Sequence, residues 1–72
     1  MKETVLNQLG KRVRVLRKES KLTQQDLAER SRISLKYIQR IEGTNPPDIG
    51  LETLTKLAHG FNIPLWKLLK FE

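Results

Sequence analysis

Seventy-two residues with a formal net charge of +6 make one basic domain with a modest core. There is no cysteine, which excludes a disulfide framework and a thiolate metal site. No apolar run approaches the ~20 residues that span a bilayer, and the N-terminus lacks the apolar core of a signal peptide, so we expect a cytoplasmic protein.

The positive charge is concentrated towards the N-terminus. Residues 1–22 hold seven Lys or Arg against two acidic residues, a net of +5, whereas residues 44–72 hold three of each sign. A basic segment of this kind favours nucleic acid or an acidic membrane surface as its partner. Charge alone leaves both partners open.

The first apolar pattern predicts an amphipathic helix that begins between Thr4 and Gln8 and ends at about Glu19. A position on a membrane surface is disfavoured, because this helix has no Trp or Phe anchor and a small bundle needs its apolar side. The apolar side holds Val5, Leu6, Leu9, Val13 and Leu16, and the opposite, basic side holds Lys11, Arg14 and Lys18.

Two short helices joined by a tight turn follow. Thr23 is a suitable N-cap for the first, about Gln24 to Ser31, and Asp26 stands three residues later, as in a capping box. Ser34 is a suitable N-cap for the second, about Leu35 to Glu42. Helical periodicity gives this second helix an apolar side with Tyr37, Ile38 and Ile41, and an outer side with Leu35, Lys36, Gln39 and Arg40.

Residues 43–50 form a loop with two glycines and two prolines. A fourth helix is predicted from about Leu51 to Phe61, and a last helix from about Pro64 to Leu69, with proline near its first position. The single histidine, His59, lies off the apolar side and is expected at the surface. The apolar sides hold Leu51, Leu54, Leu57, Ala58 and Phe61 in the fourth helix, and Leu65, Leu68 and Leu69 in the last.

Trp66 is the one tryptophan, and its spacing from Leu65 and Leu68 turns it partly outward. A partly exposed Trp close to Ile63 and Pro64 is typical of a subunit or partner contact. It is equally typical of a hydrophobic lid on the chain's own helices. Both interpretations stay open.

The stretch from Leu22 to Glu42 resembles the helix-turn-helix of the phage-repressor family, the Cro/cI-type that is also called XRE-like. The resemblance implies an all-α domain of five helices in which helices two and three, about residues 23–42, form the helix-turn-helix. It covers roughly nine-tenths of the chain. It is carried by Leu22-Thr23-Gln24-Gln25-Asp26-Leu27-Ala28, Ile33-Ser34 and Tyr37-Ile38-Gln39-Arg40-Ile41-Glu42, and extends back through Leu9-Gly10-Lys11-Arg12-Val13-Arg14 to Arg17 and forward through Leu51-Glu52-Thr53-Leu54 to Leu68-Leu69.

In such a domain the third helix lies in the major groove of DNA with its N-terminal residues near the base edges. Arginine and lysine suit guanine, glutamine suits adenine, and leucine suits the thymine methyl group. We therefore expect base contacts from Leu35, Lys36, Gln39 and Arg40. Contacts with the DNA backbone are expected from Thr23, Gln24, Arg32, Ser34 and Asn45.

Arg32 and the loop after the third helix depart from the family pattern, whereas the pair of Arg17 and Glu42 follows it. Arg32 stands where the family usually has glycine, because the chain there adopts a positive φ. Arginine can adopt this conformation at a cost on the order of 1 kcal/mol, so the turn is either slightly strained or takes another conformation. In this turn Arg32 would bring a cation near the DNA backbone. The loop after the third helix lacks the Lys/Arg pair that often holds phosphates. The resemblance also pairs Arg17 with Glu42, which would lock the first helix to the third.

No nucleophile–base pair, metal-ligand spacing or Gly-rich phosphate loop occurs, so we expect no enzyme, no metal and no cofactor. The resemblance implies a transcriptional regulator, in particular a nucleoid-associated repressor that binds double-stranded DNA as a homodimer at an inverted repeat. The alternative is an antitoxin-like or adaptor module that contacts a protein partner through Ile63, Pro64 and Trp66. RNA binding is disfavoured, since the stacking aromatics of single-strand readers are missing.

Overall fold

The computed structural model describes residues 4–71, and within this range the chain is all-helical. Every predicted helix is present, and its bounds agree with the prediction to within a residue. None of the helices between residues 4 and 71 could span a lipid bilayer. The helices are α1 (Val5–Glu19), α2 (Gln24–Ser31), α3 (Leu35–Ile41), α4 (Leu51–Phe61) and α5 (Leu65–Leu68).

Side-chain hydroxyl groups cap the first three helices. The Thr4 hydroxyl accepts a hydrogen bond from the Asn7 backbone N–H at 3.1 Å, and the Ser34 hydroxyl accepts one from Tyr37 at 3.1 Å. Thr23 and Asp26 form the predicted capping box, with reciprocal bonds of 3.0 and 2.9 Å. These caps satisfy amides that a helix start leaves without an acceptor. The helix starts are therefore determined by local sequence.

All five helices contribute to one core. Its fully buried side chains include Val13 from α1, Leu27 from α2, Ile38 from α3, Leu57 from α4 and Leu68 from α5. The apolar side predicted for α3 is confirmed, because Ile38 and Ile41 are fully buried and Tyr37 is half-buried. The core thus lies directly behind the helix-turn-helix and holds α3 by one side only.

Two buried glycines allow helices to approach closely. A Cβ atom at Gly10 of α1 would collide with the backbone carbonyl oxygen of Ile41, at the end of α3. A Cβ atom at Gly60 of α4 would lie 3.0 Å from the Ser31 Cβ and 3.3 Å from the Leu27 Cδ1 of α2. Backbone cannot move aside as a flexible side chain can. Gly10 therefore sets the distance between α1 and the rear of α3.

Four apolar residues lie elsewhere than the periodicity predicts. Leu51 was placed on the core side of α4 but is 67% exposed, and Val5 and Leu69 are also exposed. These predictions are wrong because all three residues lie at or beside a helix end, where no neighbouring helix covers them. Leu35 was assigned to the outer side of α3, yet it is half-buried and packs against the core.

Candidate nucleic-acid interface

The turn between α2 and α3 is fixed by backbone hydrogen bonds. Arg32 adopts the left-handed conformation with φ 61° and ψ 35°, and its N–H donates to the Ala28 carbonyl. The Ile33 N–H donates to the same carbonyl at 3.1 Å, and the Ile33 side chain is buried. The sequence leaves two possibilities for position 32, a strained turn with positive φ or another conformation, and the first is the one present. The backbone of the turn therefore has a conformation that glycine adopts more readily than other residues. The residue in this position is arginine, and its side chain is exposed.

The outward side of α3 carries Lys36, Gln39 and Arg40, which are all exposed. None of their side chains makes a hydrogen bond or ion pair within residues 4–71. An ammonium, an amide and a guanidinium group thus lie together on the exposed side of a helix whose other side is buried. These groups are the ones that hydrogen-bond to guanine and adenine edges.

The rear of α3 is anchored through the carboxylate of Glu42. Arg17 of α1 donates two hydrogen bonds to it, Nε to Oε2 at 2.8 Å and Nη2 to Oε1 at 3.0 Å. Arg17 also donates to the Leu22 carbonyl at 2.9 Å. The side chains of Arg17 and Glu42 are only 13% and 4% exposed, and the bonds to Glu42 raise the pKa of Arg17. These are the two residues that the family resemblance pairs.

Gln24 joins the same carboxylate from α2. Its side-chain amide donates to Glu42 Oε1 at 3.2 Å, so Glu42 receives hydrogen bonds from both α1 and α2. The sequence prediction gave Gln24 only a contact with DNA. The bond to Glu42 was missed, although a polar side chain at the first position of α2 and a buried carboxylate after α3 are both visible in the sequence.

Tyr37 ties the following loop to α3. Its side chain is half-buried against the core, and its hydroxyl donates to the Asp48 carbonyl at 3.2 Å. The loop, residues 43–50, contains no regular helix or strand. This contact was not foreseen, because nothing in the local sequence signals a bond to a backbone carbonyl eleven residues away.

The residues expected to contact the DNA backbone are distributed along the same surface. Thr23 and Ser34 stand at the starts of α2 and α3, Arg32 lies between them, and Asn45 lies in the loop after α3; all four are exposed. Gln24 is half-buried. Thr23 and Ser34 accept hydrogen bonds as caps and keep their hydroxyl protons available to donate to a phosphate.

The proposed partner contact is at the corner between α4 and α5. Trp66 is 64% exposed and Pro64 is exposed, whereas Ile63 is half-buried and packs against the core. His59 is exposed, as expected. Within residues 4–71, no three His, Cys, Asp or Glu residues are grouped so that they could hold a metal ion.

Comparison with known proteins identifies the family. A family model described as "Helix-turn-helix domain" matches residues 10–71. No curated protein matches the chain at a significant level. Among solved structures, the restriction-modification controller protein C.AhdI from Aeromonas hydrophila is 30% identical, with a TM-score of 0.81, over 88% of this chain and 94% of that one.

Two further structures share the fold. The clp gene regulator ClgR from C. glutamicum is 25% identical, with a TM-score of 0.84, over 94% of this chain and 87% of that chain. C.Esp1396I, solved bound to a 19-base-pair DNA duplex, is 24% identical, with a TM-score of 0.82, over 93% and 92% of the two chains. The family match, together with the helix-turn-helix geometry, shows that this chain belongs to the Cro/cI-type, XRE-like helix-turn-helix family.

Proposed function

We propose that this protein is a sequence-specific, double-stranded-DNA-binding transcriptional regulator that reads the major groove with α3. One observation carries the proposal. The exposed side of α3 presents Lys36, Gln39 and Arg40, whose side chains have no partner among residues 4–71, on a helix held from behind by the Arg17–Glu42 ion pair. Because the helix is already held in place, its backbone loses little conformational entropy on binding. The DNA-bound structure of C.Esp1396I, a protein of the same fold, supports it.

Each outward residue has a specific role in this proposal. Arg40 and Lys36 donate to the acceptor atoms of guanine, and Gln39 pairs with adenine through its amide. Leu35, with part of its side chain packed on the core, offers its remaining surface to a thymine methyl group. The capping hydroxyls of Thr23 and Ser34, together with Gln24, Arg32 and Asn45, contact phosphates and fix the register.

Gln24 must release its hydrogen bond to Glu42 before its side chain can contact a DNA phosphate. In the unbound protein its amide donates to Glu42. Glu42 keeps two hydrogen bonds from Arg17 if Gln24 turns towards a phosphate, so the carboxylate does not become unpaired. The cost of releasing Gln24 is therefore that of one exchangeable hydrogen bond, about 1 kcal/mol.

The regulator acts as a homodimer on an inverted repeat, and represses by occupying its operator. Two copies related by a two-fold axis would place their α3 helices in successive major grooves, about 34 Å apart. The corner of Ile63, Pro64 and Trp66, in which Pro64 and Trp66 are exposed, supplies the contact between them. Its place of action is the nucleoid in the cytoplasm.

A binding-site selection on random duplex DNA tests the proposal, followed by fluorescence anisotropy with the selected duplex. Arg40→Ala and Lys36→Ala should each weaken binding by about 1–3 kcal/mol and relax the preference at one base pair. Lys56→Ala, which removes an exposed lysine of α4, is the matched control and should change affinity little. Affinity for the wild type should fall steeply with salt.

The proposal fails if a scrambled duplex binds as tightly as the selected one at physiological salt. It also fails if Lys56→Ala weakens binding as much as Arg40→Ala, because the attraction would then reflect net charge alone. Selection reports half-site spacing together with specificity, so it also tests the dimer. A selected site without two-fold symmetry would contradict the inverted repeat while leaving DNA reading by α3 intact.

A protein-interaction role is a second candidate, because Trp66 is exposed over 64% of its surface. Large exposed aromatic side chains are typical anchors of protein interfaces. An antitoxin-like or adaptor protein would use this corner for an unrelated protein instead of a second copy. Co-purification of a defined partner that Trp66→Ala abolishes, with no change in DNA affinity, would favour this role.

A further inference from the structure

A groove of about 530 Å³ lies between α1 and the C-terminal segment, apart from the residues assigned to DNA. One wall is a stripe on α1, formed by Gln8, Lys11, Arg12 and Val15. These four positions recur at helical spacing and therefore lie on one side of the helix. The other wall comes from residues 67–71.

The groove is strongly basic. Among the residues described, its lining includes four cationic side chains, Lys11, Arg12, Lys67 and Lys70, and no acidic one. Arg12 is held in place by a hydrogen bond of 2.9 Å from its Nη2 to the Lys67 carbonyl. Its Nε is covered and has no hydrogen-bond acceptor within residues 4–71. The ammonium groups of Lys67 and Lys70 are exposed and make no hydrogen bond or ion pair within residues 4–71, so their charge is available to an acidic ligand.

Each wall of the groove also contributes one apolar residue, Val15 from α1 and Phe71 from the C-terminal segment. Val15 is 47% exposed although it belongs to a helix of the core, and Phe71 is half-buried against that core. A nucleic-acid backbone offers phosphates and the small C–H groups of its sugars, but no bulky apolar group to cover Val15 and Phe71. A peptide segment can offer carboxylates to the lysines and an apolar side chain to Val15 and Phe71. The combined chemistry therefore favours an acidic peptide over DNA.

The groove faces away from the recognition helix. Gly10 and Arg17 face α3 from one side of α1, through the Ile41 carbonyl and Glu42. Positions 8, 11, 12 and 15 are centred about half a turn of the helix away from that side. A ligand in the groove would leave α3 uncovered, so DNA and the ligand can be bound together.

We propose that this groove is a docking site for an acidic segment of a partner protein, in which carboxylates flank a bulky apolar side chain. Lys67 and Lys70 bind the carboxylates, and Val15 and Phe71 receive the apolar side chain. The guanidinium of Arg12 remains fixed by the Lys67 carbonyl and contributes positive charge. A regulator bound to DNA through α3 would thus recruit this partner through its opposite surface.

Titration of the intact protein with labelled synthetic peptides tests the site. The probe is a short peptide in which Asp and Glu flank a central Leu-Phe pair, with binding followed by anisotropy and by amide shifts in NMR spectra. A peptide with Ser-Ser at the centre, and one with Asn and Gln for the acids, should each bind about tenfold more weakly. Shifts should map to residues 8–15 and 67–71, and not to α3.

Charge-reversal variants separate the groove from net charge. Lys67→Glu combined with Lys70→Glu should weaken the acidic peptide about tenfold or more. Lys18→Glu combined with Lys56→Glu gives the same net charge on exposed lysines outside the groove and should retain most of the affinity. Both double variants should bind duplex DNA equally.

Several results would overturn the proposal. One is an equal loss of affinity for the acidic peptide in the two double variants. Another is that the uncharged peptide binds as tightly as the acidic one. A third is that no peptide of the series binds. Displacement of the peptide by saturating duplex DNA would also overturn it, because the groove would then belong to the nucleic-acid surface. Failure of DNA binding by wild-type protein would refute the proposed function while leaving the peptide titration interpretable.

Discussion

The orientation of α3 depends on one residue, Glu42, through its side-chain carboxylate. It is almost fully buried and accepts hydrogen bonds from Arg17 and Gln24, so its negative charge is compensated from two helices. A buried charged group without its partner is costly, whereas an intact pair contributes modestly to stability. The pair therefore serves mainly to specify how α1 and α3 meet.

Replacing Glu42 with Gln should lower the free energy of unfolding by about 1–3 kcal/mol, because Arg17 loses its charged acceptor in a half-buried place. Urea denaturation measures this change. Glu29→Gln is the control, since Glu29 is exposed and accepts a hydrogen bond from Gln25, one turn earlier on α2. Equal destabilisation by the two variants would show that the buried pair has no special role.

Two substitutions of Arg32 separate the effect of its backbone strain from the effect of its side-chain charge. Arg32→Gly should raise the free energy of unfolding by about 1 kcal/mol, since glycine adopts positive φ without the Cβ penalty. Arg32→Gln keeps a side chain in that conformation and removes only the charge. If Arg32 contacts a phosphate, both variants should weaken DNA binding and flatten its salt dependence. Unchanged or tighter binding by Arg32→Gly would rule out the phosphate contact.

At the scale of the helices, local sequence determines where elements start, and distant contacts determine how they pack. The caps at Thr23 and Ser34 could be predicted because each hydroxyl lies three residues from its amide. The exposure of Leu51 could not be predicted, since periodicity gives the apolar side of a helix and not the extent of its neighbours. The bond from Tyr37 to Asp48 likewise depends on the folded path of a loop.

The capping box of α2 should make stability depend on pH in the acidic range. A hydrogen bond from the Thr23 backbone N–H lowers the pKa of Asp26 below its ordinary value of 3.8. The unfolded chain therefore binds the proton more readily, and the contribution of Asp26 is fully present above 3.8. It is lost as the pH falls through the lower folded pKa.

Urea denaturation at a series of pH values down to about 2.5 checks this dependence. Asp26→Asn should lose less stability over the acidic range than the wild type. Asp48→Asn, which removes an exposed carboxylate outside any cap, should follow the wild-type profile. Identical profiles for Asp26→Asn and the wild type would contradict a role for the capping box.

The contact between α1 and α3 depends on a position without a side chain. Gly10→Ala should lower the free energy of unfolding by about 2–3 kcal/mol, because the new Cβ meets the Ile41 carbonyl and the helices must separate. Gly50→Ser is the contrasting variant. Gly50 has open space around its Cβ position and begins α4 without a side-chain cap, so serine should be neutral or slightly stabilising. Thermal or urea unfolding would compare the two.

At the scale of the whole molecule, much of what the sequence implied is present in the structure. The five helices and the buried side of α3 follow from patterns that are local in sequence. The conformation of Arg32 does not, because an arginine in a glycine's place is compatible with a strained turn or with another conformation. Gly10 was visible as part of the family pattern, but its closeness to Ile41 was not, since the two are far apart along the chain. The basic groove could not be predicted for the same reason, because its two walls come from segments that are far apart along the chain.

Assembly on DNA should depend on the corner between α4 and α5. Trp66→Ser should weaken the binding of a second copy to a duplex with two half-sites by about tenfold, while binding to a single half-site stays unchanged. Val5→Ser, which changes another exposed apolar residue, is the control and should preserve the two-copy complex. Gel shifts with both duplexes measure this. Equal cooperativity in the two variants would place the dimer contact elsewhere.

In the part of the chain that the structure describes, Lys36, Gln39 and Arg40 have no side-chain partner, and this also bears on how such a protein can diversify. Substitutions on an exposed helix side that makes no contacts within the fold usually change stability by less than about 0.5 kcal/mol. The positions that determine the preferred operator are thus separate from those that maintain the domain. New operator preferences can therefore accumulate by exchange of a few surface side chains, whereas Gly10 and Glu42 tolerate almost no change.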